Sequence, residues 1–389
     1  MRLAIPFPPS VPVAGFVAVL VGYASSAAII WQAASAAGAT NAQVAGWMTM
    51  LGLAMGLSTL LLSLRWRAPV LTAWSTPGAA LLVTSLPGHS LGEATGVFIF
   101  CGALITLCGI TGLFARLMKI LPHSLCAAML AGILLRFGLE AFGALADNGL
   151  LCGVMLAAWL LVRALAPRYA VIAALLAGLM VAFADHQYSQ GLTLPLFVTP
   201  AFTLPQFTLS SLIGVGVPYF LVTMASQNAP GLATLKASGY QVPTSPLLSV
   251  TGLFTLVLAP FGAFSVAIAA ITASICQGEE AHPDPARRWQ AACAAGVFYL
   301  LAGLAGGGIV NLMTALPDAW IKMLAGLALL GALSGSLHQA LGDEKQRDAA
   351  IVTFLIVASG VTLWGVGSAF WGLVGGGLCH AVLSATRRP

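Results

Sequence analysis

Two stretches hold the residues best suited to chemistry. "WSTPGAALLVTS", residues 74–85, sets Ser75, Thr76 and Gly78 around a proline, and "PFGAFSVAIAAITASI", residues 260–275, sets Gly262, Phe264 and Ser265 after another. Each is a Pro/Gly/aromatic break followed by a run rich in Ala, Ile, Leu and Val. A helix beginning at such a break presents unpaired N–H groups and the positive end of its dipole, a setting that holds an anion. Each terminus contributes roughly 0.3–1 kcal/mol when exposed and up to about 2 when partly buried. Micromolar binding needs about 8 kcal/mol, so hydrogen bonds and an apolar pocket around the ligand body must supply the rest. Neither 70–86 nor 262–277 contains a charged residue.

Four further polar residues sit inside apolar runs. Tyr23 and Gln32 lie in "GYASSAAIIWQAASAAGAT", and Gln227 and Asn228 in "PYFLVTMASQNAPGLATLKASG". A buried amide pair serves either a ligand or a hydrogen bond between helices. The hydroxyls of Ser75, Thr76 and Ser265 likewise either bind a ligand or cap a helix. Trp74 and Phe264 offer ring faces to an aromatic ligand, or simply pack.

Other chemistries find no residues. The seven cysteines (101, 108, 126, 152, 276, 293, 379) are scattered with no CxxC, and the six histidines make no metal spacing. No phosphate loop, dinucleotide-binding glycine pattern or nucleophile elbow is present. The expectation is therefore no metal, no cofactor and no enzymatic activity. The formal charge of +5 reflects membrane topology and does not indicate a nucleic-acid partner.

The elements that must position these residues are membrane spans. Of 389 residues, 59% are hydrophobic and only 7% charged, too few to wet a soluble surface. Apolar runs predict an all-α integral membrane protein with fourteen segments: 13–36, 43–64, 70–86, 93–115, 121–142, 149–165, 169–186, 209–230, 243–260, 262–277, 288–312, 317–336, 348–363 and 366–386. The first is read as a true span with an extended, Pro-rich lead-in, in preference to a cleaved signal peptide. Basic residues test the count. With a cytoplasmic N-terminus, fourteen of the sixteen Lys and Arg fall inside, including Arg2, Lys119, Arg387 and Arg388; only Arg136 and Lys322 dissent, both within spans.

Seven segments fill residues 1–190 and seven fill 209–389, joined by a Pro-rich linker at 191–208. An odd number per half predicts a seven-plus-seven inverted repeat, an arrangement typical of secondary transporters. Segments three and ten, at corresponding positions, are the interrupted ones, and paired interruptions are the best sequence pointer to a binding site.

"STPGAALL", "SQNAPGLATL" and "PFGAFSVAIAAITASI", with the length and topology, resemble the benzoate:proton symporter family (BenE type) along essentially the whole chain. That family is related in fold to uracil/xanthine permeases and sulfate-type anion transporters. The resemblance implies a core domain (segments 1–4 and 8–11) and a gate domain (5–7 and 12–14). Segments three and ten become half-helices, each preceded by a short extended strand, with substrate held between them and segments one and eight. Tyr23, Gln32, Ser75, Thr76, Gly78, Gln227, Asn228, Gly262, Phe264 and Ser265 are the candidate substrate-binding residues. Ala267 departs from the pattern, since the family often has Asn there. The related nucleobase permeases use acidic side chains on segments eight and ten; here segment eight offers Gln227 and segment ten no carboxylate, which favours an anion. Two ionisable pairs at i, i+4, Arg136 with Glu140 and Asp318 with Lys322, lie in spans, and Glu140 is the candidate for proton coupling. The expected function is bacterial inner-membrane import of benzoate or a similar aromatic carboxylate with a proton, and a homodimer is expected from the fold. The rivals are another small organic anion or a nucleobase as substrate, and a channel.

Overall fold

The computed structural model describes residues 8–114, 116, 123–189, 193–364 and 366–386. Arg2, Lys119, Arg387 and Arg388 of the charge pattern lie outside the described residues. The first half contains α1 (Ser10–Ala36), α2 (Asn41–Trp66), β1 (Thr72–Ala73), α3 (Thr76–Ser85), α4 (Leu91–Thr111), α5 (His123–Asp147), α6 (Gly149–Leu165) and α7 (Ala170–Ala184). The second contains α8 (Leu209–Ala237), α9 (Thr244–Leu258), β2 (Ala267–Ile268), α10 (Ile271–Gln277), α11 (Trp289–Leu304), α12 (Gly306–Ala315), α13 (Asp318–Leu341), α14 (Arg347–Ser359) and α15 (Ser368–Thr386).

Local sequence explains where the helices start. Thr40 and Gln43 form a capping box at α2, and Ser90 and Glu93 form another at α4, each satisfying orphan N–H groups of a first turn. Asn148 caps α6 through Leu151 N–H. Pro218 and Pro230 fall inside α8, where a ring would collide with the carbonyl four residues back. The helix widens into π-turns at Leu212–Gly216 and Thr223–Asn228, just ahead of each proline, and stays continuous.

Among the described residues, nine helices are long and apolar enough to cross a bilayer, or ten if a bent pair counts as one span. That pair is α11–α12, read from sequence as one segment (288–312) and bent by 63° at Ala305. The remaining segments are shorter helices, α3 and α10 among them.

Packing sorts the helices into two groups. In one, α2 lies against α11, α4 against α9, and α1 against α3, α10 and α11. In the other, α5 lies against α13 and α14, α6 against α7, and α14 against α15. Glycine sets the closest approach: a Cβ on Gly52 would fall on the Gly303 backbone, so α2 and α11 meet main chain to main chain. The connection over 193–207 carries no helix and is tied down by Thr203 N–H to Pro260 O (2.8 Å), Gln206 N–H to Gly92 O (2.9 Å) and Asn311 against Leu194.

Candidate functional site

The two interruptions meet. β1 and β2 pair antiparallel, with Thr72 opposite Ile268 and Ala73 opposite Ala267. Antiparallel pairing sends α3 and α10 away in opposite directions, so both helices begin beside the same two-stranded sheet. Within segment ten, read as an extended strand followed by a half-helix, α10 begins at Ile271, and Gly262, Phe264 and Ser265 belong to the turn and extended chain before β2. Pairing with β1 and side-chain bonds from α8 and α9 hold this stretch extended.

Non-helical backbone away from water costs several kcal/mol per unpaired group, and here neighbouring helices supply partners. From α2, Thr59 Oγ1 accepts from Thr72 N–H (3.0 Å), and Ser63 Oγ donates to Val70 O (2.8 Å). Thr72 Oγ1 donates to Met55 O (3.0 Å) and lies 2.7 Å from Ser58 Oγ. From α9, Thr255 Oγ1 accepts from Val266 N–H (2.9 Å). From α8, Tyr219 OH donates to Phe264 O (2.8 Å), Asn228 Oδ1 accepts from Ile268 N–H (2.9 Å), and Gln227 Nε2 donates to Ile268 O (3.3 Å). Ser58, Thr59, Thr72, Tyr219 and Thr255 are absent from the sequence-derived candidates. The hydroxyls at 58, 59 and 63 inside an apolar span were the available signal.

At the start of α3, Ser75 is the N-cap, and its Oγ accepts from Gly78 N–H (3.0 Å). Ser75 N–H donates to Ser265 Oγ (2.8 Å), and Thr223 Oγ1 lies 3.4 Å from Ser75 Oγ. Thr76 occupies the first helical position, half-buried. Gly78 admits nothing larger, since a Cβ would stand 2.7 Å from the Tyr219 ring and 2.8 Å from Ser75 Oγ. Ala270, the N-cap of α10, has no side chain that could accept from the first turn.

The aromatic residues divide. Phe264 is fully buried between Trp47 and Phe98, with ring centroids at 5.8 and 5.3 Å. Gly262, at φ +92°, sits against the Trp47 indole. Trp74 donates from Nε1 to Ser26 Oγ (2.6 Å) and meets Tyr23 edge-on at 4.7 Å. The Tyr23 hydroxyl is buried with no partner among the described residues, and its ring lines an apolar pocket of about 330 Å³ between α1 and α11.

The structure thus brings together Ser75, Gly78, Gln227, Asn228, Phe264 and Ser265 around the sheet, with Tyr23 attached through Trp74. Gln32 is not brought in: it lies more than two turns further along α1, half-buried, with no hydrogen bond among the described residues. Glu140 is also elsewhere, on α5, paired with Arg136 (2.8 Å).

Apolar spans around interrupted helices that start on a buried two-stranded sheet define a polytopic membrane transport fold. The likeness to solved structures agrees. The structure of SLC26A9 superposes with a TM-score of 0.63 at 12% identity over 96% of this chain, which spans 65% of that longer protein. The transmembrane domain of the cyanobacterial bicarbonate transporter BicA superposes with a TM-score of 0.58 at 14% identity, covering 97% of both chains. At these identities the likeness is one of fold. The sequence pattern of the BenE family, benzoate membrane transport protein, matches residues 5–382, and the chain belongs to that family of membrane transporters. It is 62% identical over 97% of its length to inner membrane protein YdcO of Escherichia coli, covering 96% of that protein. It is 37% identical over 96% of its length to the benzoate membrane transport protein of Acinetobacter baylyi, covering 95% of it. The protein is a multi-pass inner-membrane protein.

Proposed function

We propose that this chain imports benzoate or a similar aromatic carboxylate together with a proton by alternating access. The observation that carries this reading is the pair of short helices, α3 and α10, starting beside one buried sheet with no charged side chain in either stretch. Two positive helix ends favour a carboxylate there. The absence of a fixed negative charge disfavours a nucleobase. The 37% identity to a benzoate transporter supports the substrate class.

In this reading the chain crosses the membrane fourteen times as an inverted repeat with both termini inside. The group α1–α4 with α8–α12 is the core, and α5–α7 with α13–α15 is the gate. Substrate lies at the sheet within reach of Ser75, Thr76, Ser265, Gln227 and the unpartnered Tyr23 hydroxyl. Motion of core against gate exposes it to each side in turn. Glu140 carries the coupled proton, and two copies associate through their gates.

Uptake of radiolabelled benzoate into proteoliposomes, with and without an inward-directed proton gradient, tests the reading. Saturable accumulation against the benzoate gradient is expected; equilibration without accumulation indicates a channel, and competition by nucleobases with none by aromatic acids overturns the substrate class. Glu140→Gln is expected to abolish the proton-driven component, and undiminished driven uptake removes Glu140 from the mechanism.

A further inference from the structure

A second cavity, of about 530 Å³, opens between the two helix groups, well away from the sheet. Its walls come from the end of α3 (Ser85), the start of α4 (His89, Glu93), α5 (Arg136), the end of α14 (Ser359) and the start of α15 (Ser368). The volume falls in the range of pockets that enclose small organic ligands. Its lining is polar, in contrast to the apolar pocket beside Tyr23.

The charged groups on this cavity are not equally engaged. Glu93 is committed to local structure: Oε2 accepts from Ser90 N–H (2.8 Å), Oε1 accepts from the Thr208 hydroxyl (2.8 Å), and His89 Nδ1 lies 3.8 Å from Oε2. Arg136 is different. Its Nε donates to Glu140 Oε1 at 2.8 Å, its side chain is 66% exposed, and its terminal N–H groups have no partner among the described residues. Lys322 of α13, bridged to Asp318 at 2.6 Å, also lies within electrostatic range of Glu140 and Asp147. Glu140 engages the guanidinium through Nε alone, which leaves the terminal edge of the fork open. An exposed pair at i, i+4 is worth only about 0.3–0.5 kcal/mol, which a bidentate carboxylate exceeds. The first turns of α8 and α15 also open on the cavity through Ser210 and Ser368 and add the positive ends of two helices.

We propose that this cavity is a second binding site, an outer vestibule where a small carboxylate anion docks on Arg136 before reaching the sheet. The proposal rests on the transport reading above for its direction and substrate class. Arg136 acts there by holding a carboxylate in the planar fork that lysine lacks.

The test combines transport with site-directed labelling. In the full chain, Arg136→Gln is expected to raise the KM for benzoate about tenfold, and Arg136→Lys to recover part of the loss. Ser85→Cys provides a reporter, because Cys101, Cys108, Cys126, Cys152 and Cys276 are buried and the unsubstituted chain gives the background. A membrane-impermeant maleimide added to intact cells is expected to label Ser85→Cys, benzoate to protect it, and the Arg136→Gln background to lose that protection. An unchanged KM in Arg136→Gln, or labelling that no small carboxylate slows, overturns the outer site. Protection by carboxylates without any benzoate uptake leaves the site standing and overturns the transport reading instead.

Discussion

The backbone N–H of Ser75 donates to the side-chain oxygen of Ser265, 2.8 Å away and 190 positions along the chain. One bond thus ties the cap of α3 to the extended chain before β2, joining the two interruptions between buried residues. Ser265→Ala leaves that N–H without a partner, a cost of about 1–3 kcal/mol. A lowered melting temperature in detergent and weaker benzoate binding by the purified protein are expected; unchanged values in both mean that the bond contributes nothing.

Gln227 and Asn228 are adjacent and should nevertheless behave differently. Asn228 is fully buried and accepts from Ile268 N–H at 2.9 Å, while Gln227 is half-buried and donates to Ile268 O at a longer 3.3 Å. Asn228→Ala is expected to destabilise by about 1–3 kcal/mol, read as a lowered melting temperature. Gln227→Ala is expected to spare stability and raise the KM for benzoate. The reverse pattern assigns the ligand to Asn228.

Tyr23→Phe separates two uses of one hydroxyl by sign. Removing a buried donor that has no partner among the described residues is expected to leave thermal stability unchanged or improve it by up to about 1 kcal/mol. If the hydroxyl meets the ligand as proposed, benzoate affinity is expected to fall. Equal affinity in binding calorimetry removes Tyr23 from the site.

Arg168, between α6 and α7, bridges to Glu280, after α10, at 2.5 Å, and so links the two helix groups. The side chains are 42% and 73% exposed, so their contribution to stability is at most about 1 kcal/mol. Glu280→Arg is expected to leave the melting temperature nearly unchanged while altering the benzoate exchange rate. Arg168→Glu combined with Glu280→Arg should restore it.

Much of this architecture was legible in the residues. The Pro and Gly in "WSTPGAALL" end one conformation and start another, so the short α3 could be read directly, with Ser75 as its cap. The second break was legible in kind and not in register. Gly262 marks the end of α9, but "AFSVAIAA" has no local signal separating strand from helix, because Ala, Ile and Val serve both. Its extended form is imposed from outside, by Thr72 across the sheet and by Thr255, Tyr219 and Asn228 from neighbouring helices. The bend at Ala305 escaped for a related reason: "LAGLAGGGIV" is apolar throughout, and its geometry is set by packing. Phe264 was a candidate on residue type alone, and only tertiary contact reveals the two rings that occupy its faces.

The glycine contact between Gly52 and Gly303 has a mechanical consequence. Helices separated by side chains can slip past one another by exchanging rotamers, whereas helices touching through their main chains have no such lubricant. α2 and α11 are therefore locked like two keyed shafts, and α4 and α9 are keyed in the same way, through Gly102 against Leu256 and Gly252 against Thr106. Displacement is expected at the seams between such keyed pairs and their neighbours, and a bulky residue at Gly52 or Gly303 is expected to act by prising the shafts apart rather than by blocking a path.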